Sequence, residues 1–125
     1  MHERHYLIAD DVDEPKVARM RAVAERDPYA VVHIARSARE ALGIIGRHGK
    51  RMEKAYIDFD FLGEAETGAD IIAAQRAVNR HTFIALVTAR EGEPYEEARN
   101  RALGAGADAT FTSADAFEAP LAQAA

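Results

Sequence analysis

The chain has 125 residues, 48% of them hydrophobic, no cysteine and no tryptophan, and its 16 basic and 21 acidic side chains leave a net charge of −5. That length suits one domain able to bury roughly two-thirds of its unfolded surface, and the lack of cysteine excludes disulfides and thiolate metal sites and fits a reducing, cytoplasmic compartment. No apolar stretch approaches the roughly 18 residues of a membrane span, the N-terminus does not read as a signal peptide, and the acidic balance makes nucleic acid a poor partner.

In chain order, residues 5–9 (HYLIA) read as a first strand by their length and their aromatic and β-branched content, and run directly into Asp10-Asp11. Pro15 opens a helix with an apolar stripe of Val17, Met20, Val23 and Ala24. A second strand, 30–35, is followed by a capping box of Ser37 and Glu40, then by Ala41, Leu42 and Ile45 at helical spacing. Residues 54–58 (KAYID) form a third strand. Thr67 with Asp70 resembles a second capping box, ahead of a stripe of Ile71, Ala74, Ala77 and Val78. The fourth strand, 82–87, runs into Thr88. The next helix carries Pro94 in its first turn and Tyr95, Ala98 and Ala102 on one face, and the Gly104–Gly106 stretch stops it. Residues 109–112 make a fifth strand, and 119–125 (APLAQAA) a short last helix. Four strands are apolar on both faces, as a parallel sheet covered by helices requires. The expectation is an α/β fold: a single-domain, doubly wound, five-stranded parallel sheet over residues 1–125, with the alanine-rich tail the place where a longer protein would have been cut.

Ligands of such sheets bind outside the carboxyl ends of the strands. Those ends carry Asp10 and Asp11, Asp58 with Asp60 just beyond, and Thr88. Most Asp-Asp pairs are solvated loops or helix caps. This one follows an apolar strand and precedes a helix, which favours a metal role. Dense carboxylates need a counter-charge, and oxygen-only ligands suit Mg2+. His2, His5, His33, His48 and His81 show no ligand spacing and read as surface or strand residues.

The segments YLIADDVDEPKV, YIDFDFLG with TG, and LVTAR with GAGADATFTS resemble the receiver domain of two-component response regulators, over essentially the whole chain. The resemblance implies a (βα)5 flavodoxin-like receiver fold. It implies Mg2+ held by Asp10, Asp11, Asp58 and Asp60, and an aspartate phosphorylated by a histidine kinase or phosphotransfer protein. It further implies that Thr88 closes on the phosphate. Output would pass by protein–protein contact, to a downstream partner or a homodimer, through the face of helix four, strand five and helix five.

Two aspartates compete for the acceptor role. In an extended segment Asp58 and Asp60 lie less than about 7 Å apart on one side. Taking Asp60 as acceptor leaves Asp58 unpaired inside a buried strand, at a cost of several kcal/mol. Asp58 is therefore the expected acceptor, with Asp60 the alternative. Two departures from the resemblance matter. The family's strand-five lysine is replaced by Ser113, and among the lysines, Lys16, Lys50 and Lys54, none follows the start of the third strand. Arg90 is the nearest substitute cation. Thr110 stands where the family has a rotating aromatic ring, and the neighbouring Phe111 is expected to face the core. These departures keep open a phosphorylation-independent pseudo-receiver that binds a partner or dimerises. The sequence IDFDF also resembles the Asp-x-Asp motif of haloacid-dehalogenase-type phosphatases, but that motif belongs on a first strand and needs a later lysine, so an enzyme is not expected.

Overall fold

A computed structural model describes residues 2–123. Five strands and five helices alternate: β1 (Arg4–Ala9), α1 (Glu14–Ala24), β2 (Ala30–Ala35), α2 (Ala38–His48), β3 (Met52–Ile57), α3 (Gly68–Val78), β4 (Phe83–Thr88), α4 (Gly92–Ala105), β5 (Ala109–Thr112) and α5 (Glu118–Gln123), with one 3-10 turn, Gly49–Arg51, before β3. All strands are parallel, in the order β2-β1-β3-β4-β5. The order reverses beside β1, so the chain leaves β1 and β3 toward opposite faces of the sheet and opens a crevice at their carboxyl ends. Successive side chains of β1 enter opposite cores. Leu7 and Ala9 pack under α2 and α3, while Tyr6 and Ile8 pack under α1 and α5. Among the described residues no helix is long and apolar enough to cross a membrane.

The local signals account for most boundaries. Asp13 caps α1, accepting from the Lys16 N–H at 3.0 Å. Ser37 caps α2 through Glu40 N–H, but the Glu40 carboxylate reaches the N–H of Arg36 rather than that of Ser37, so the box is only half formed. Thr67 and Asp70 form the complete box. Gly106 ends α4 with φ +115, where a Cβ would also press on the Arg76 side chain. Three details differ from expectation. Strand β3 begins two residues early because Met52 is buried, and it ends at Ile57, leaving Asp58 just past the strand. Helix α3 is turned so that Ile72 and Gln75 are buried while Ala77 and Val78 are exposed; buried Gln75 donates to Gly49 O and Thr82 Oγ1. In α2, Ile44 rather than Leu42 joins the core. Phe111 packs against the α1/α5 core, partly buried. The last expected helix is present to Gln123; residues 124 and 125 of that expectation lie outside the described residues.

Candidate functional site at the carboxyl rim of the sheet

Strand β1 delivers Asp10 and Asp11, and β3 delivers Asp58. One carboxylate oxygen from each lies within 4.8 Å of the other two. Asp10 is fully buried, and its Oδ1 accepts from the N–H groups of Val12 and Asp13 at 3.2 and 3.0 Å. Asp11 Oδ2 accepts from Leu62 N–H at 2.9 Å, tying the loop after β3 to the end of β1. Asp58 is 8% exposed, and its Oδ1 accepts from Phe59 N–H at 2.8 Å. Gly68 makes this corner possible. Its N–H donates to Phe59 O, and a Cβ there would collide with the carbonyl oxygen of Asp58.

The cluster contains a cation that the sequence reading did not place there. Lys16, on the first turn of α1, is 2% exposed. Its Nζ donates to Val87 O at 3.0 Å and lies 2.7 Å from Asp10 Oδ2 and 3.3 Å from Asp58 Oδ1. The Asp10 contact is the closer of the two ion pairs. Burying an ammonium costs several kcal/mol unless it is paired. Here it has two carboxylates and a carbonyl. The sequence held a signal for this. A lysine at the third position of a helix sits against the positive end of the macrodipole and does nothing for the helix itself. Six residues after Asp10, its stem lies beside the acidic pair.

The other expected residues divide. Thr88 is buried at the same rim, and its Oγ1 accepts from Arg90 N–H at 3.2 Å. Asp60 is turned outward, where Arg90 grips it with Nε and Nη2 at 2.9 and 2.8 Å while lying 4.5 Å from the Phe59 ring centroid. Arg90 thus serves Asp60, and Lys16 rather than Arg90 is the cation facing Asp58. Asp60 does not join the three-carboxylate cluster. Ser113 donates its N–H to Thr88 O at 2.7 Å, and its carbonyl accepts from Arg19 Nη1 at 2.9 Å. Thr110 Oγ1 is 2.8 Å from Tyr95 Oη, so a tyrosine from α4 bonds to the position where the family has its ring.

Burial pushes the Asp58 carboxyl up to about 6, with Lys16 pulling the other way and Asp10 adding to the rise. A site that makes its own carboxylate hard to ionise has room for more positive charge. Three clustered carboxylates, two of them buried, match the all-oxygen donor set of a hard divalent cation. Mg2+ therefore fits the residues present.

No protein-family model matches the sequence, and no curated protein matches it. Solved structures do. A response regulator from Burkholderia pseudomallei, with a phosphorylated aspartic acid, calcium ion and citrate, aligns at TM-score 0.76 and 21% identity over 96% of this chain, which spans 65% of that one. The fold is that of a response-regulator receiver domain. A CheY-like receiver domain protein from Methanospirillum hungatei JF-1 aligns at TM-score 0.74 and 22% identity, over 96% of this chain and 89% of its own. CheY in its complex with CheX, BeF3 and Mg2+ from Borrelia burgdorferi aligns at 0.73 and 17%, over 96% and 84%. In the receiver fold seen here the acidic cluster occupies the crevice beside β1, and the flank at β5 carries serine and threonine.

Proposed function

We propose that this chain is a signalling receiver that accepts a phosphoryl group on Asp58 in a Mg2+-dependent reaction, with a phosphohistidine of a kinase or phosphotransfer protein as donor in the cytoplasm. The observation that carries the reading is the quartet of half-buried Asp11 with buried Asp10, Asp58 and Lys16. Asp10, Asp11 and Asp58 would hold the ion, which supplies positive charge to the incoming phosphoryl oxygens. The chain's own residues do the rest. Phe59 N–H and Lys16 fix one oxygen of Asp58 and so orient its carboxylate. As the acyl O–P bond forms, the donor's N–P bond breaks and its imidazole takes up a proton. Lys16, already desolvated, offsets charge on the phosphoryl group, as phosphoryl transfer requires of nearby cations. Lys16 thereby does from α1 what the family's lysine does from strand five. Exposed Val12 and Leu62 flank the rim and give a donor protein apolar footing. Output runs through the α4–β5–α5 face, to a partner or a second copy.

A second reading is favoured by one observation. Lys16 already neutralises part of the cluster, which suits a pseudo-receiver held in one state without phosphate. Asp60, taken up by Arg90 outside the cluster, lends no support to a phosphatase. The deciding experiment adds beryllofluoride and Mg2+ and follows the amide spectrum. Expected are shifts at residues around Asp58 and Thr88 in wild type and in Asp60→Asn, and none in Asp58→Asn. A silent wild type would sink phosphoacceptance and leave the pseudo-receiver; a response surviving in Asp58→Asn would sink the choice of acceptor.

A further inference from the structure

At the other end of β1 from the acidic rim, three histidines that look scattered in sequence come together. His5 is on β1, His33 on β2, and His48 ends α2, which covers the same face of the sheet. His5 and His33 rings are parallel within 9°, with Nδ1 of one 2.9 Å from Nε2 of the other, so they meet edge to edge. His48 completes a triangle of ring centroids 5.2, 5.0 and 4.6 Å on a side. One nitrogen of each ring lies within 4.8 Å of one nitrogen of both others.

Packing alone leaves this cluster incompletely satisfied. His5 is 4% exposed, yet its Nε2 has no hydrogen-bond partner, nor has the buried Nδ1 of His48. Buried polar atoms are nearly always bonded to something. Burial and the nearby Arg51 and His48 lower the pKa of His5, against a smaller raising effect of Glu3. Burial, His48, His5 and Arg47 lower that of His33. Both shifts favour the neutral ring, the form that offers a lone pair to a metal.

We propose that His5, His33 and His48 form a binding site for a borderline divalent cation, with Zn2+ as the type case. Neutral imidazoles prefer Zn2+, Cu2+ and Ni2+ to Mg2+ or Ca2+. Three of them leave an open position for water or a partner's side chain, as three-ligand zinc sites do. Binding costs the His5–His33 hydrogen bond and a small rotation of the rings, and Arg47 and Arg51 weaken it. The site pins edge strand β2 and the end of α2 to the start of β1, and it does not depend on the phosphoacceptor reading.

The test is a Zn2+ titration of metal-free protein in excess Mg2+, which keeps the acidic rim occupied, by calorimetry and by histidine ring resonances. Expected is one Zn2+ per chain, with His5, His33 and His48 shifting while His2 and His81 stay in place. His48→Asn, and His33→Gln as a second variant, weaken binding at least about tenfold. The double variant His2→Asn/His81→Asn and Asp58→Asn bind as wild type. No binding in wild type, shifts confined to His2 or His81, or binding undiminished in both His48→Asn and His33→Gln would overturn the site.

Discussion

The rim at β1, β3 and β4 and the flank formed by β5 and α5 border one crevice, yet they differ in kind. The rim is charged and largely buried, with three carboxylates, a threonine and a lysine. The flank, where the resemblance implies a lysine and a rotating ring, is neutral at both positions and clamped from outside. Arg19 of α1 donates to the carbonyls of Ser113 and Asp115 and to both oxygens of Glu118, and stacks 4.0 Å over Phe117. Helix α1 therefore serves both regions, with Lys16 supplying charge to one and Arg19 fixing the other. A lysine stem is long enough to reach one point from more than one origin, so on the proposed reading α1 can supply a charge that the resemblance implies from strand five.

The largest expected effect comes from Lys16→Met. Breaking a buried ion pair by removing one partner costs about 3–5 kcal/mol, so chemical denaturation should show a marked loss, partly recovered with Mg2+. Phosphorylation by a small-molecule donor should slow by roughly tenfold or more, the size of a lost charge-assisted hydrogen bond. Adding Ser113→Lys to that variant moves the charge to the flank. Recovered phosphorylation would show that the position of the charge counts and its origin does not; no recovery would show that the two regions are not interchangeable. Gly68→Ala, which drives a Cβ into the Asp58 carbonyl, should cost about 1–3 kcal/mol, as overpacking does, and weaken Mg2+ binding at the rim without disturbing the Arg19 clamp.

A pH profile separates the regions further. The folded Asp58 carboxyl sits at about 6 against 3.8 ordinarily, so the folded, metal-free protein holds this proton more tightly than the unfolded chain. Its contribution to stability is then fullest below about pH 4 and is lost as pH rises through about 6. Thermal melts in chelator should show this decline, Asp58→Asn should flatten it, and excess Mg2+ should oppose it. The smallest effect is Tyr95→Phe, which removes the bond to Thr110 and costs about 1 kcal/mol. Beryllofluoride binding should be unchanged in it; a large loss would mean the flank is coupled to the rim after all.

Much of the site was legible in the sequence because strand ends fix where side chains arrive. Asp10, Asp11 and Asp58 each follow an apolar run, so naming the strands placed their carboxylates on one edge. Arg90, the nearest substitute cation by sequence, meets Asp60 rather than Asp58, because proximity to Thr88 says nothing of which carboxylate a side chain meets. Helix α3 turns away from the face its alanines suggest because alanines give a weak stripe, whereas Gln75 is drawn inward by the bonds it makes with Gly49 and Thr82.

The amino-acid order by itself determined the alternation of strands and helices, the parallel sheet and the acidic edge, since each follows from local periodicity, caps and breakers. Only the tertiary structure decided which cation meets Asp58 and which histidines meet one another. Lys16 and Val87 are 71 residues apart, and His5 and His33 are 28 apart; side-chain reach across packed elements, which no local pattern encodes, brings them together.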